Sequence, residues 1–314
     1  NDFFGQTQKQ MIERPLGSGV IIDEDGYIVT NEHVVSRASK IKVRLSDGKV
    51  FEATMISSDP MSDLAVLKIN SPTPFPFVKM GTSKDLMIGE TVIALGNPFG
   101  LENSITTGVL SAKNRTLTIN SEYGDIKYDG LIQTDALINP GNSGGPLVNI
   151  DGELIGINAA IVNQAQGIGF AIPVDKVRQT LVKLFNFREI NKIWFGAQVE
   201  EQDGGSKGIK VSSVEPGSPA DKAQIKIGDY ITKIDSKEIL DILDFEKYIL
   251  RKNAGDKLYI NINRGGYEVK VDVKLEKAPL PSIEKLAMEK LGLYVQDLTP
   301  QLAKQLNLWW VKAG

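Results

Sequence analysis

The chain contains one histidine, His33, within Tyr27-Ile28-Val29-Thr30-Asn31-Glu32-His33-Val34-Val35. Far downstream lies Asn139-Pro140-Gly141-Asn142-Ser143-Gly144-Gly145-Pro146, a serine in a turn of small residues. A serine hydroxyl is a poor nucleophile at its free pKa and needs an adjacent base to take its proton. It also needs donors aimed at the oxyanion that develops on the attacked carbonyl. The turn around Ser143 offers backbone N–H groups for that purpose, and Gly144-Gly145 leaves room for substrate to approach. In such chemistry His33 is the only imidazole base available. Asp63, in Ser62-Asp63-Leu64-Ala65-Val66-Leu67, is a carboxylate lying between His33 and Ser143 in the chain. Taken singly, each has an ordinary structural reading: a glycine turn, a packed or surface histidine, one carboxylate among 39 acidic residues.

Their order carries more than their presence. His33, Asp63 and Ser143 succeed one another at 30 and 80 residues within a β-rich pattern. That is the chain order of chymotrypsin-type double barrels, not of subtilisin-type or α/β-hydrolase enzymes. The stretch from Gly141 to Gly145 also matches Gly-x-Ser-x-Gly, but a hydrolase elbow requires a helix after the serine, and glycine-rich strands come instead.

Composition narrows the remaining classes. With 314 residues, 41% of them hydrophobic, the chain can bury a substantial core and hold two or three domains. A net charge of −3 gives no basic excess to argue for nucleic acid. The absence of cysteine removes disulfides, thiol nucleophiles and thiolate metal sites, and a single histidine argues against a structural zinc. No metal or other cofactor is expected. No apolar run reaches the roughly 20 residues of a spanning helix, and Asn1-Asp2-Phe3-Phe4-Gly5 lacks the basic and apolar regions of a signal peptide. Gly17-Ser18-Gly19 and Gly167-Ile168-Gly169 lack the strand–turn–helix context of a dinucleotide site.

The elements that must position these residues are mostly short strands. Ile41, Val43 and Leu45 alternate with Lys42 and Arg44, as on a half-buried strand, while Leu64–Leu67 and Val92–Leu95 are apolar runs of buried-strand length. Asp25-Gly26, Asp47-Gly48 and Asp151-Gly152 are hairpin signals. Val174, Val177, Leu181, Leu184 and Phe185 then fall on one helix face, and this helix closes a first domain over 1–186. A second, mixed unit covers 187–277, with a helical stretch from Leu243 to Leu250 and a hairpin turn at Asn263-Arg264-Gly265-Gly266. The two prolines around Leu280 stiffen a linker over 278–282. Residues 283–314 are too few for an independent domain and read as the beginning of a further one, or as a helical extension.

Six ordered motifs resemble the HtrA (high-temperature-requirement) family of serine proteases. They are Thr30-Asn31-Glu32-His33-Val34-Val35, Ser62-Asp63-Leu64-Ala65-Val66-Leu67, Ala94-Leu95-Gly96-Asn97-Pro98-Phe99-Gly100, Ile132-Gln133-Thr134-Asp135-Ala136, the Ser143 turn, and Gly167-Ile168-Gly169-Phe170-Ala171-Ile172-Pro173. The resemblance implies a mainly β protein, a chymotrypsin-like double-barrel protease domain followed by PDZ domains of mixed structure. It makes His33 the general base, Asp63 its orienting carboxylate and Ser143 the nucleophile, with the N–H groups of Gly141 and Ser143 as oxyanion hole. By the same alignment Ile138, Ile161 and Ile168 line an apolar specificity pocket suited to small or medium aliphatic side chains; these isoleucines are equally read as core. Arg115 matches a regulatory loop, and also reads as a solvated loop arginine. Phe3 and Phe4 match aromatic residues that build a trimer in the family.

Trp194-Phe195-Gly196-Ala197 resembles a PDZ carboxylate-binding loop, with Phe195, Gly196 and Ala197 at its centre and Ala197–Glu200 as the edge strand that takes a peptide C-terminus. Leu291-Gly292-Leu293-Tyr294-Val295 resembles the same loop at the start of a second PDZ domain. The implied activity is endoproteolysis of unfolded or misfolded proteins in a bacterial periplasm or cell envelope, by trimers or larger assemblies. The alternative is a chaperone or peptide-binding scaffold whose proteolysis is secondary.

Overall fold

The computed structural model describes residues 17–97, 104–121, 124–139, 141–159, 167–201, 208–280, 283–296 and 298–307. Phe3, Phe4, Pro140, Ile161 and the end of the chain lie outside them.

Two β units form the N-terminal half. The first carries β1 (Val20–Ile21), β2 (Tyr27–Thr30), the short helix α1 (Glu32–Val35), β3 (Ile41–Arg44), β4 (Val50–Asp59) and β5 (Leu64–Lys68). Its strands lie in the order β1-β2-β5-β4-β3, all antiparallel. The second is a closed barrel of β6 (Thr91–Gly96), β7 (Ser104–Ser121), β8 (Gly124–Thr134), β9 (Pro146–Val148), β10 (Leu154–Ala159) and β11 (Gly169–Pro173), in the order β10-β11-β8-β7-β6-β9. The three Asp-Gly pairs sit between paired strands, and all three glycines have positive φ: +88° at Gly26, +84° at Gly48 and +76° at Gly152. β3 is half-buried in alternation and β5 is buried along Leu64–Leu67, as expected. β6 differs. Val92 and Ala94 are fully buried while Ile93 is only partly so, because a closed barrel covers one face of the strand more than the other.

Helix α2 (Val174–Leu184) buries the expected face, Val174, Val177, Leu181 and Leu184, and leads through α3 (Phe187–Ile190) to the second unit. There β12 (Ile193–Trp194) pairs with β19 (Glu276–Lys277), closing the unit at both ends. Its main sheet runs β13 (Ala197–Glu200), β14 (Ile209–Val214), β15 (Tyr230–Ile234), β17 (Lys257–Arg264) and β18 (Tyr267–Lys274), with β16 (Lys237–Glu238) beside β15. Two helices accompany it, α4 (Pro219–Lys222) and α5 (Ile242–Leu250).

One apolar cluster runs from the first sheet through α2 into this second unit. It is stitched by edge-on aromatic pairs: Tyr27 with Phe185 at 5.0 Å, Phe187 with Phe245 at 6.0 Å, and Phe245 with Phe195 at 5.3 Å. Such a pair adds about 0.5–1.5 kcal/mol to the burial of its rings. Ion pairs fringe the seam: Arg178 with Asp241 at 2.8 Å, Arg251 with Asp25, and Lys247 with Asp23 at 3.8 Å. Beyond 280 come α6 (Ile283–Leu291), whose Leu286, Met288 and Leu291, like nearby Tyr294, are exposed, and then α7 (Pro300–Gln305). Among the described residues no helix is long and apolar enough to cross a membrane.

Candidate active site

β2 is buried on both faces: Ile28 packs in a cluster under the first sheet, and Tyr27 and Val29 in the large cluster on its other side. A strand held this firmly fixes the residues directly after it. Asn31 caps α1 in an extended conformation, buried Val34 and Val35 anchor the turn, and His33 projects with 47% of its side chain accessible.

Asp63 comes from the turn between β4 and β5. Asp59 shapes that turn by accepting from the Met61 N–H at 3.0 Å and the Ser62 hydroxyl at 2.7 Å. Asp63 itself is 2% exposed and adopts φ +53°, a left-handed conformation uncommon outside glycine. Its carboxylate oxygens stand 2.8 and 2.9 Å from His33 Nδ1, and Oδ1 also accepts the His33 backbone N–H at 3.0 Å. An ionised carboxylate only accepts, so Nδ1 carries the proton and the neutral ring presents Nε2 as a bare acceptor. Burial lowers the His33 pKa, but the bond to Asp63, its charge and that of Glu32 outweigh this and hold it above 6.5. Burial, then the charges of Asp63 and Glu32, push the Tyr128 hydroxyl up to about 12.

The Ser143 turn is clamped from two sides. Ser143 is 4% exposed, and its carbonyl accepts the Ser18 N–H at 2.8 Å. The Ser18 hydroxyl donates to the Gly141 carbonyl at 2.6 Å and accepts the Asn97 N–H at 2.8 Å. On the other side the Gly144 N–H donates to the Asn158 carbonyl at 2.9 Å, and the Asn158 N–H to the Gly145 carbonyl at 2.8 Å. Gly141 and Gly144 have φ of +105° and +81°. A Cβ on Gly144 would sit 2.3 Å from the Ser18 carbonyl oxygen and from Thr30 Oγ1, and 3.0 Å from the Asn31 nitrogen. The Ser143 turn therefore rests on the end of β2 at Thr30 and on Asn31, three and two residues before His33.

Ser18, Thr30, Asn31 and Asn158 do this positioning and were not singled out from sequence. Their available signals were weak: Ser18 lies in a glycine pair, and Asn31 lies inside the His33 motif.

Of the expected pocket residues, Ile138 is half-buried beside Gly169, where a Cβ would come within 2.8 Å of Ile138 Cδ1. Ile168 is 41% exposed, and Ile161 lies outside the described residues. Arg115, expected on a loop, lies within β7, where its Nε donates to Gln133 at 2.9 Å. The neighbouring Asn114, at φ +56°, breaks the β7–β8 register there without ending the strand, a local irregularity that residue types do not announce.

In the second unit the Phe195 side chain is 1% exposed and belongs to the core. Gly196, at φ +84°, turns the chain into β13, and its carbonyl accepts from the Glu215 N–H at 2.8 Å and the Ser218 hydroxyl at 3.2 Å. A Cβ on Gly196 would overlap Ser218 Cβ at 2.0 Å. Ala197 opens β13, which forms the edge of the sheet among the described residues.

The trypsin-like peptidase domain family matches residues 17–157, and the PDZ domain family matches 194–275. The "Probable periplasmic serine endoprotease DegP-like" of Chlamydia pneumoniae is 39% identical over 98% of this chain and 65% of its own length. The namesake from Ectopseudomonas mendocina is 36% identical, over 98% of this chain and 70% of its own length. "Periplasmic serine endoprotease DegP" of Escherichia coli is 42% identical over 87% of this chain and 59% of its own length. Among solved structures, a serine-to-alanine variant of the HtrA-type protease AlgW with a decapeptide matches at TM-score 0.51 and 36% identity, covering 85% of this chain and 83% of that one. The chain thus spans 64–65% of the length of the first chlamydial relatives. With two family matches in the expected order and relatives aligned along almost its whole length, the chain belongs to the DegP-like, HtrA-type family of serine endoproteases.

Proposed function

We propose that this protein is a serine endopeptidase of protein quality control, cleaving unfolded or misfolded chains by acyl transfer. The observation that supports it most is the His33–Asp63 pair, with Nδ1 held at 2.8 Å, and the Ser143 turn clamped onto the strand that leads to it. Ser143 Oγ attacks the scissile carbonyl as its proton passes to His33 Nε2. Asp63 stabilises the imidazolium, which then protonates the departing amine. Water attacks the acyl-enzyme, losing its proton to Nε2, and that proton returns to Ser143 as the product acid leaves. The Gly141 and Ser143 N–H groups are the proposed oxyanion donors. Ile138, Ile161 and Ile168 are the proposed pocket for an aliphatic side chain.

The division into a protease domain over 1–186, a PDZ domain over 187–277, a linker over 278–282 and the start of a second PDZ domain over 283–314 belongs to the same reading. So does capture of a peptide C-terminus along β13 at Phe195-Gly196-Ala197. The relatives' names support a periplasmic or envelope setting. Trimeric or larger assembly through the Phe3–Phe4 segment, and regulation through Arg115, complete the proposal. Casein cleavage by the wild type and by Ser143→Ala tests it: the variant should lose at least about 1,000-fold in rate, and equal rates would sink the mechanism. The alternative holding function is read from the same variant, by whether it suppresses aggregation of a denatured client.

A further inference from the structure

We propose that Asn31 is a positioning residue of the site, whose side-chain amide holds the Asp63 main chain in the conformation that aims its carboxylate at His33. The proposal rests on the endopeptidase reading for its consequence in catalysis, but its structural content stands apart from it.

Asn31 occupies the N-cap of α1, where an asparagine ordinarily turns its side-chain oxygen back to accept a helix N–H. Here it makes no such bond. Asp63 does the capping instead, since its Oδ1 accepts the His33 backbone N–H at 3.0 Å. The Asn31 amide nitrogen donates to the Asp63 carbonyl at 2.9 Å, and both residues are buried, at 0% and 2% exposure. The amide orientation is settled by its partner, because a carbonyl requires a donor.

Two costs mark this arrangement as selected for geometry. Asp63 sits at φ +53°, where a non-glycine residue persists only if its surroundings hold it. Among the described residues, buried Asn31 Oδ1 has no hydrogen-bond partner, so the side chain makes one bond at the cost of the other. The Asn31 main-chain nitrogen also stands 3.0 Å from where a Cβ on Gly144 would lie. Asn31 thereby borders the turn bearing the nucleophile, bonds the residue bearing the carboxylate and precedes the base by two positions. If the amide is removed, Asp63 is free to relax from its left-handed conformation. Its carboxylate then leaves Nδ1, and the imidazole loses the partner that fixes its tautomer.

Because His33 is the only histidine, its ring signals in an NMR titration are unambiguous. The experiment measures the His33 pKa and the Nδ1–H resonance in wild type, Asn31→Ala and Asn31→Leu, the second keeping volume and removing the unpartnered oxygen with the donor. Thermal unfolding and peptide hydrolysis are recorded alongside. The expected result is a downward shift of the His33 pKa, loss of the downfield Nδ1–H signal, and a fall in kcat of about 10- to 100-fold with KM little changed, the scale of a misplaced reacting group. A lowered Tm with the His33 pKa and Nδ1–H signal unchanged overturns the proposal, and so does an Asn31→Leu protein that fails to fold, since Asn31 would then support the fold rather than the carboxylate. The NMR arm reads Asp63 placement even in a chain that cleaves nothing, so failure of the endopeptidase reading and failure of this one are separable.

Discussion

The carboxylate of Asp63 holds His33 at two points, the backbone N–H at 3.0 Å and the ring Nδ1 at 2.8 Å. The backbone bond sets where the imidazole stands, and the ring bond sets which nitrogen is bare. One buried acid therefore fixes position and tautomer together, and the protonated ring is favoured by the same contact.

In the proposed mechanism that contact sets the acid limit of activity. Burial lowers the His33 pKa, but Asp63 and Glu32 raise it further, to a net value above 6.5. Proton abstraction needs the neutral ring, so kcat/KM rises with pH through this pKa and falls tenfold per unit below it. The stability sign is opposite. The folded-state pKa is raised, so protonated His33 contributes stability below the unfolded value, and that contribution is lost as pH rises through the folded one. Glu32→Gln removes one raising charge and should move the acid limb of kcat/KM to lower pH. A limb that stays in place, measured on a peptide substrate, would show that Glu32 is screened from the ring.

Part of this arrangement could be read from residue types, for identifiable reasons: His33 and Asp63, expected together, stand in contact. The order of His33, Asp63 and Ser143 is preserved in the linear chain, and the hairpin glycines announce themselves because positive φ excludes most other residues. The α2 face was legible because Val174, Val177, Leu181 and Leu184 keep helical period. The clamps were not. Ser18 reaches Gly141 across 123 residues, and no local pattern records such a bond. The part played by Asn31 depends on the φ of Asp63, which an aspartate does not advertise. The packing of α3 on α5 was equally silent, since nothing in the linear chain records that Phe187 meets Phe245 at 6.0 Å.

Two glycines with almost the same backbone angle separate strain from fit. Gly144 and Gly152 have φ of +81° and +76°, but a Cβ at Gly144 meets two oxygens at 2.3 Å whereas one at Gly152 meets nothing within 4 Å. Gly152→Ala should cost about 1 kcal/mol of stability and leave activity intact. Gly144→Ala adds overpacking against the Ser18 carbonyl and Thr30, for a total of about 3–5 kcal/mol, and displaces the Ser143 turn from the end of β2. Denaturant unfolding and peptide hydrolysis check both. Equal losses in the two variants would mean that backbone strain alone decides.

The packing of α3 on α5 carries its own titratable group. Glu246, on α5, accepts the Phe187 backbone N–H at 3.3 Å, and burial pushes its carboxyl up to about 7. The N–H bond favours the ionised form but does not offset the lost hydration. A carboxyl with a raised folded-state pKa stabilises the fold while both states are protonated. That advantage is lost from the unfolded value near 4.5 upward, and fully so once pH passes about 7. Glu246→Gln keeps an acceptor for Phe187 and has no charge to bury. It should therefore match the wild type near pH 4 and exceed it by about 1–3 kcal/mol at pH 8, the larger figure being the full value of such a shift before solvent screening. Urea unfolding at the two pH values measures the difference. A gain of equal size at both would assign it to packing rather than to ionisation of Glu246 against α3.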